Sequence, residues 1–270
     1  MTPFSVLLPV YKKDNFLFLE QSLNSIICQT LMPLEIVIVK DGPITEELEA
    51  VLSRYAKLNP IIKIVSLPEN KGLGEALNEG IKHCSYELIA RMDADDIAKP
   101  FRFERQIDIF EKNLDVDIVG SWVDEFENCI DNVVSIKRLP ANHEEIKIYA
   151  TKRCPMNHPT VMFKKTAVLA VGGYKHFPLL EDYYLWVRML LNGSKFYNIQ
   201  ESLLYFRFSL DTIKRRGGKD YMKSELRLQN TMKRMKFISW GEYLMNVWIR
   251  ILFRVIPNSL RLFLYRKVLR

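Results

Sequence analysis

The sequence predicts an α/β fold, a mostly parallel sheet flanked by helices, followed by a basic amphipathic helical extension. Three observations carry this prediction. Short apolar, β-rich runs alternate with helix-period patterns through the first hundred residues, the rhythm of a parallel sheet with helices on both faces. The segments Val10-Tyr11, Asp41-Gly42 and Asp93–Asp96 each follow a strand-like run. Ligands collect outside the carboxyl ends of parallel strands, so these three segments should converge on one crevice. Charge is also divided unequally. From Leu203 onward 16 Lys/Arg stand against 4 Asp/Glu, whereas the first 202 residues carry 23 basic and 28 acidic side chains. Such asymmetry suggests that the tail meets an anionic surface.

The elements follow in order. Phe4–Val10 reads as a buried strand and Phe16–Gln29 as a helix. Glu35–Val39 is a second strand, and Thr45–Lys57 a helix that Thr45 can cap. Ile61–Ser66 is a third strand. Gly72–His83 is helical, with Leu73, Ala76, Leu77 and Ile81 on one face. Glu87–Met92 is a fourth strand. After Pro100 the rhythm changes to a helix (Arg102–Asn113), strands at Ile118–Phe126 and Val133–Arg138, an apolar stretch at Thr160–Phe163, a helix from Glu181, and a last strand at Leu203–Phe208. The remainder is basic and helical.

Composition limits the class. At 48% hydrophobic and 26% charged residues, the chain suits a globular protein with a sizeable core, not a disordered one. Cys28, Cys84, Cys129 and Cys154 form no CxxC pair and read as reduced, mostly buried thiols. The opening MTPFSVLLPVYKKD reads as a strand and not as a leader. The longest charge-free stretch, Gln21–Leu34, has 14 residues, too few for a spanning helix of about 20.

Three aspartates, Asp93, Asp95 and Asp96, crowd the end of the fourth strand. Asp93 and Asp95 are spaced to face one ligand. Oxygen-only ligands suit Mg²⁺ or Mn²⁺, which share phosphate oxygens with a substrate. A metal–diphosphate complex would relieve the carboxylate repulsion. The plain alternative is a solvated Asp-rich turn. An EF-hand is excluded, because Ile97 stands at the fifth ligand position and Ala98 where glycine is required. A phosphatase-type DxD normally follows the first strand of its domain, and this one follows the fourth.

Eight segments in order carry a resemblance: FSVLLPVY, EIVIVKDGP, NKGLGEALNEGI, ARMDADDIAKPFRFERQ, NHPTVMFKK, GGY, EDYYLWVRML and YFRFSLDTIKRR. From about Phe4 to Arg216 the chain resembles the inverting family 2 glycosyltransferases, which have the Rossmann-like GT-A fold and use nucleotide-sugar donors. The resemblance implies a catalytic domain over 1–216. Its nucleotide-binding half would span about 1–100 and its acceptor-binding half about 101–216, with a membrane-associating helical extension over 217–270.

It also implies roles. Pro9, Val10 and Tyr11 would border the nucleotide, and Asp41 would accept a hydrogen bond from the uracil edge, unless it only forms the turn before Gly42. Asn70, Lys71 and Gly72 would lie by base and ribose, joined by Asn78. Gly72 and Gly74 make no dinucleotide fingerprint, since Leu77 stands where a third glycine belongs. Arg91 would meet the diphosphate or pair with an aspartate. Asp93 would contact the ribose or a metal-bound water, Ala94 the nucleotide-sugar, and Asp95 the metal. Asp96 would assist or cap the next helix. Asp182 would be the general base, taking the proton of an acceptor hydroxyl, with Glu181 binding the acceptor; two acids complementing a helix N-terminus are the alternative. His158 would reach the metal or diphosphate, or orient a loop. Trp186 would be core or an acceptor-side sugar platform. Arg207, Lys214 and Arg215 would close over the diphosphate, or form a solvated charge run.

In residues 240–270, arginines recur at 250, 254, 261, 266 and 270 among apolar side chains. Leu244, Val247, Trp248, Ile251, Leu252 and Val255 make an apolar stripe, with Pro257 between two helices. This suits helices lying in a membrane interface with arginines toward anionic lipid, or a helical pair packed on the domain or on a second subunit. Nucleic acid is disfavoured, because the aromatics lie on the apolar side. The resemblance thus implies a metal-dependent (Mn²⁺ or Mg²⁺) transferase of Glc or Gal from a UDP-sugar to a lipid-diphosphate acceptor. GlcNAc-diphospho-undecaprenol in O-antigen or capsule assembly is the narrower expectation, with the enzyme cytoplasmic and peripheral on the inner face of the membrane. A nucleotidyl- or phosphotransferase, or a non-catalytic nucleotide-sugar binding module, are the competing classes.

Overall fold

A computed structural model describes residues 2–208 and 218–255. Lys214, Arg215, Pro257 and the last three arginines lie outside them, so the expectations for these residues are not addressed below. The first half alternates β1 (Phe4–Val10), α1 (Phe16–Ile27), β2 (Glu35–Lys40), α2 (Glu46–Leu58), β3 (Ile62–Ser66), α3 (Leu73–His83) and β4 (Leu88–Arg91). Asn15 caps α1 by accepting from Leu17 N at 2.9 Å. Thr45 caps α2 as its sequence position suggested.

The second half comprises β5 (Ile97–Ala98), α4 (Arg102–Lys112), β6 (Val116–Phe126), β7 (Val133–Lys137), α5 (His143–Ala150), β8 (Met162–Lys164), α6 (Lys165–Ala170), α7 (Glu181–Leu191) and β9 (Lys195–Arg207). Then come α8 (Lys219–Arg234) and α9 (Trp240–Val255). The nine strands form one sheet in the order β3-β2-β1-β4-β8-β6-β9-β5, with β7 also paired to β6. The β3-β2-β1-β4 portion is parallel, as is β6–β9, while β5, β7 and β8 run antiparallel to their neighbours.

The sheet is buried on both faces. Val6 and Leu8 of β1 pack with Leu19 and Leu23 of α1, Leu52 of α2 and Phe103 of α4. Leu7 points the other way, into a cluster with Leu77 of α3, Val168 of α6 and Trp186 of α7. The strand alternation thus feeds two cores. A third cluster joins Tyr183 and Val187 of α7 to Leu228 and Met232 of α8.

The predicted α/β class and helical extension stand. Helices α5 and α6 were not read from the sequence, and β9 begins at Lys195, eight residues before the predicted last strand. Cys84 is buried and Cys154 partly so, but Cys28 and Cys129 are exposed, which corrects the expectation of mostly buried thiols. Among the described residues no helix is long and apolar enough to cross a membrane.

Candidate active site

Register brings the strand ends together. Val10 pairs with Lys40, and Leu7 with Arg91. The residues that follow, Tyr11, Asp41 and Asp93, therefore leave the sheet at one edge. Asp41 N donates to Val10 O at 2.8 Å, and Met92 N to Leu7 O at 3.0 Å.

Asp41 organises its neighbours. Its carboxylate accepts from Lys71 N at 2.7 Å, Gly72 N at 3.0 Å and Asn70 Nδ2 at 2.9 Å. Gly42 sits at φ +81°, and a Cβ there would lie 2.5 Å from Asn70 N, so only glycine lets the two loops approach this closely. The 70–72 loop is thereby fixed before α3. Three donors leave a carboxylate with about four acceptor positions room for one more.

The Asp93–Asp96 loop is pinned from behind. Ser22 Oγ donates to Asp93 O at 2.8 Å, Ser25 Oγ accepts from Ala98 N at 3.0 Å, and Arg102 donates to Arg91 O at 2.6 Å. Arg91 is buried and grips both carboxylate oxygens of Asp93. Asp96 is fully buried; one oxygen accepts from Arg207 N at 2.9 Å and the other has no partner. It does not cap α4, which starts six residues later. Burial and then the neighbouring Asp93 push Asp95 up to about 6. Burial and then Asp95 raise Asp96 well above the ordinary carboxylate value.

Ligand atoms of Asp93, Asp95 and Asp96 all lie within 4.8 Å of one another. An all-oxygen set with one buried, unpartnered oxygen fits a hard divalent cation. Asp14 belongs to the same neighbourhood and was not singled out from the sequence. It accepts from Tyr11 N at 2.9 Å, and burial, with Asp95 and Asp93 adding, pushes it up to about 7.

The second half supplies the opposing wall. The turn before α7 is clasped by Asn78. Its Oδ1 accepts from Tyr174 N at 2.8 Å and its Nδ2 donates to Tyr174 O at 2.7 Å. Gly173 sits at φ +64°, and a Cβ there would fall 2.5 Å from the Asn78 oxygen. The amide expected near the ribose is thus spent on joining the two halves. Glu181 and Asp182 open α7. Tyr174 lies in the field of Arg91 first, then Asp182, Glu181 and Asp93, and Gly74 of α3 approaches both Tyr174 and Glu181. Asp93 and the Glu181-Asp182 pair, far apart in sequence, therefore both lie near Tyr174.

Asp182 Oδ1 accepts from Tyr183 N at 2.7 Å, and Cys154 Sγ lies 3.8 Å from its Oδ2. Burial, then the adjacent Asp182, pushes Glu181 up to about 7. An unfolded glutamate ionises near its ordinary 4.5, so between these values the folded protein holds the extra proton. Glu181 therefore contributes stability that is lost as pH rises from about 4.5 to 7. Glu181→Gln is expected to match wild type at pH 4 and to exceed it at pH 8 by about 1–3 kcal/mol, measured by chemical denaturation. Equal stability at both pH values would remove the burial effect.

For Trp186 and His158 the structure takes one of the two readings left open, and Arg207 departs from both of its own. Trp186 is fully buried, with ring centroids 5.9 Å from His158 and 6.3 Å from Phe196, so it is core and offers nothing to an acceptor. Trp186→Ala should cost about 3–5 kcal/mol, read from a denaturation midpoint, while Trp186→Phe should cost far less. His158 is buried, with Nε2 2.8 Å from the Tyr174 hydroxyl. It is not part of the carboxylate group that could hold a cation, and it orients the Tyr174 loop. Arg207 is not a free arm. Its guanidinium is stacked 3.8 Å from the Phe18 ring and 4.6 Å from Phe126, and donates to Asp95 O at 2.9 Å and Gln21 Oε1 at 2.6 Å. It latches β9 to the aspartate loop. Ala94, between Asp93 and Asp95, is buried.

The chain's residues 5–170 match the family model for Glycosyl transferase family 2. It is 43% identical over 268 residues to the UDP-Gal:alpha-D-GlcNAc-diphosphoundecaprenol beta-1,3-galactosyltransferase of Escherichia coli, covering 99% of this chain and 96% of that one. It is 40% identical over 267 residues to the amylovoran biosynthesis glycosyltransferase AmsE of Erwinia amylovora, covering 98% of each. Its fold is similar to S. aureus TarS 1-349 in complex with UDP-GlcNAc, with TM-score 0.66, 16% identity, and coverage of 99% of this chain and 76% of that one. The aspartate loop lies at the carboxyl edge of a mostly parallel sheet, and the chain belongs to glycosyltransferase family 2. It is an enzyme of that class.

Proposed function

We propose that the enzyme transfers galactose from UDP-galactose to the sugar of a GlcNAc-diphospho-lipid, forming a β-linkage with inversion. The single observation that carries this reading is that Asp93, of the Asp93–Asp96 group, and the Glu181-Asp182 pair both lie near Tyr174. The likeness to the E. coli galactosyltransferase over nearly the full length of both chains supports the choice of donor and acceptor.

Asp95 and Asp93 would hold Mn²⁺ or Mg²⁺, which when bound supplies Lewis-acid stabilisation of the departing diphosphate. Pro9, Val10 and Tyr11 border the nucleotide. Asp41 keeps one acceptor position for the uracil N–H, and Asn70, Lys71 and Gly72 form the loop beside the ribose. On the other wall Asp182 removes the proton of the acceptor hydroxyl as that oxygen attacks the anomeric carbon. Glu181 keeps its proton to higher pH and can donate a hydrogen bond to an acceptor oxygen. Glu181 would thus serve as the donor and Asp182 as the base. The acceptor's lipid brings the enzyme to a membrane surface as a peripheral protein.

Purified protein with Mn²⁺, UDP-galactose, UDP-glucose or UDP-GlcNAc, and a synthetic GlcNAc-diphospho-lipid tests this reading. UDP release with a β-galactosyl product supports it. Release of pyrophosphate or phosphate would indicate a nucleotidyl- or phosphotransferase. UDP binding with no product from any donor would indicate a binding module.

A further inference from the structure

Helix α9 is turned inside out for a helix on a globular domain. Its polar residues Glu242, Asn246 and Arg250 recur every four positions. Asn246 donates to Thr151 O at 2.8 Å and Gln229 Oε1 at 2.9 Å. Arg250, expected to face lipid, is turned inward; it donates to Lys152 O at 2.8 Å and lies 3.4 Å from Glu225. The opposite face presents Trp240, Leu244, Trp248, Ile251 and Leu252 to solvent, with Trp248 65% exposed. A helix that belongs to a water-facing surface buries its apolar stripe and exposes its polar one. Here the polar stripe holds the helix to the protein, and among the described residues the apolar face stays exposed.

Charge beside that face identifies its occupant. At the turn from α8 to α9, Lys233, Arg234 and Lys236 line an open groove of about 530 Å³ together with Phe237, Ile238, Ser239 and Trp240. No acid lines this groove. Lys233 Nζ sits 3.7 Å from the Trp240 ring centre and 4.5 Å from that of Tyr243. Cations and interfacial aromatics at one end of a continuous apolar face match the layering of a bilayer surface, with phosphate above and acyl chains beside. Glu242 accepts from Ser239 N and Oγ at 2.8 Å at one end of the groove, so three cations exceed the one acid there, an excess for which a second protein copy would not account.

We infer that this face docks on an anionic phospholipid bilayer. Helix α9 lies in the interfacial plane with Trp248, Ile251 and Leu252 toward the acyl chains, and the Lys233–Arg234–Lys236 groove takes a lipid phosphate. The inference deepens the proposed lipid-linked reaction by naming the surface that brings the cleft to its acceptor.

Sedimentation of the full-length protein with phosphatidylcholine vesicles, with and without one-quarter phosphatidylglycerol, tests it. Wild type is expected to bind the anionic vesicles and to release in high salt. Arg234→Glu/Lys236→Glu is expected to weaken binding by on the order of 10²-fold. Trp248→Glu/Leu252→Glu should lose it even at low salt. Both variants should keep the wild-type melting temperature and wild-type turnover on a short-chain, water-soluble GlcNAc-diphosphate acceptor. Unchanged vesicle binding in the variants overturns the inference. So does a wild-type dimer that ignores vesicles and becomes monomeric in Trp248→Glu/Leu252→Glu, since a second copy would then cover the face. Vesicle binding lost as expected, with no transfer to either acceptor by wild type, upholds the docking surface and rejects the proposed reaction.

Discussion

Asp182→Asn is expected to lower turnover by about 10²–10⁴-fold, the usual cost of losing a general base, while leaving the affinity for UDP near its wild-type value. The substitution keeps size and one acceptor oxygen, so the bond from Tyr183 N at 2.7 Å can persist. What disappears is the group proposed to take the acceptor's proton. In the proposed reading UDP would be held around Asp41 and Asp93–Asp96, without using Asp182. Glu181→Leu provides the contrast, since loss of a group that donates to the acceptor should raise KM more than it lowers kcat. Steady-state kinetics together with UDP titration by calorimetry read both variants. Wild-type turnover in Asp182→Asn would remove this residue from the chemistry, and equal losses of UDP affinity and turnover would make its role structural.

Asp95→Asn is expected to lower turnover by on the order of 10³-fold or more, because several kcal/mol of transition-state stabilisation depend on the bound cation and each 1.4 kcal/mol is tenfold. Asp95 is the member of the cluster with most freedom to bind. Asp93 is already gripped by Arg91, and one oxygen of Asp96 is committed to Arg207 N. Asp95 is open to solvent on one side yet crowded by burial and by Asp93 on the other, which raises it to about 6 from an ordinary 3.8. A raised carboxylate burdens the folded state once ionised, so metal-free wild type should lose stability as pH climbs from about 4 to 6. Asp95→Asn should therefore melt higher than wild type by a few degrees, about 2–4 °C, at pH 8 with EDTA, and should gain nothing from Mn²⁺. Wild type should gain from Mn²⁺ plus UDP. A variant that is less stable than wild type without metal would contradict the repulsion argument, and one that remains fully active would contradict the metal argument.

Much of the architecture was legible because it rests on local pattern. The β-α rhythm up to Met92 depends on apolar periodicity and on caps such as Thr45, both carried by neighbouring residues. The positions of Asp41, Asp93 and Asp95 followed from one rule, that ligand groups gather at strand ends. What the sequence did not disclose depends on distant contacts. Asp14 enters the carboxylate cluster only because β1 and β4 run side by side. Asn78 looks like any polar helical residue until Gly173 removes the Cβ that would exclude it. Arg207 reads as a mobile cation, but Phe18, Phe126 and the Asp95 carbonyl hold it from three separate elements. Trp186 shared a motif with the acids of α7, yet it is packed in the core against His158 and Phe196. For α9 the periodicity was evident and its facing was not. Which stripe meets the protein was decided by partners at Thr151, Lys152, Glu225 and Gln229 that no local pattern names.

A crystal of the protein soaked with Mn²⁺ and UDP, with data collected at the manganese absorption edge, tests the common cleft most directly. The mechanism requires an anomalous peak on the Asp95 carboxylate, the uracil against Asp41, and the diphosphate end of UDP directed toward Asp182. Manganese bound elsewhere, or a diphosphate directed away from α7 so that Asp182 faces only solvent, would leave the base without an acceptor to deprotonate and would contradict the mechanism.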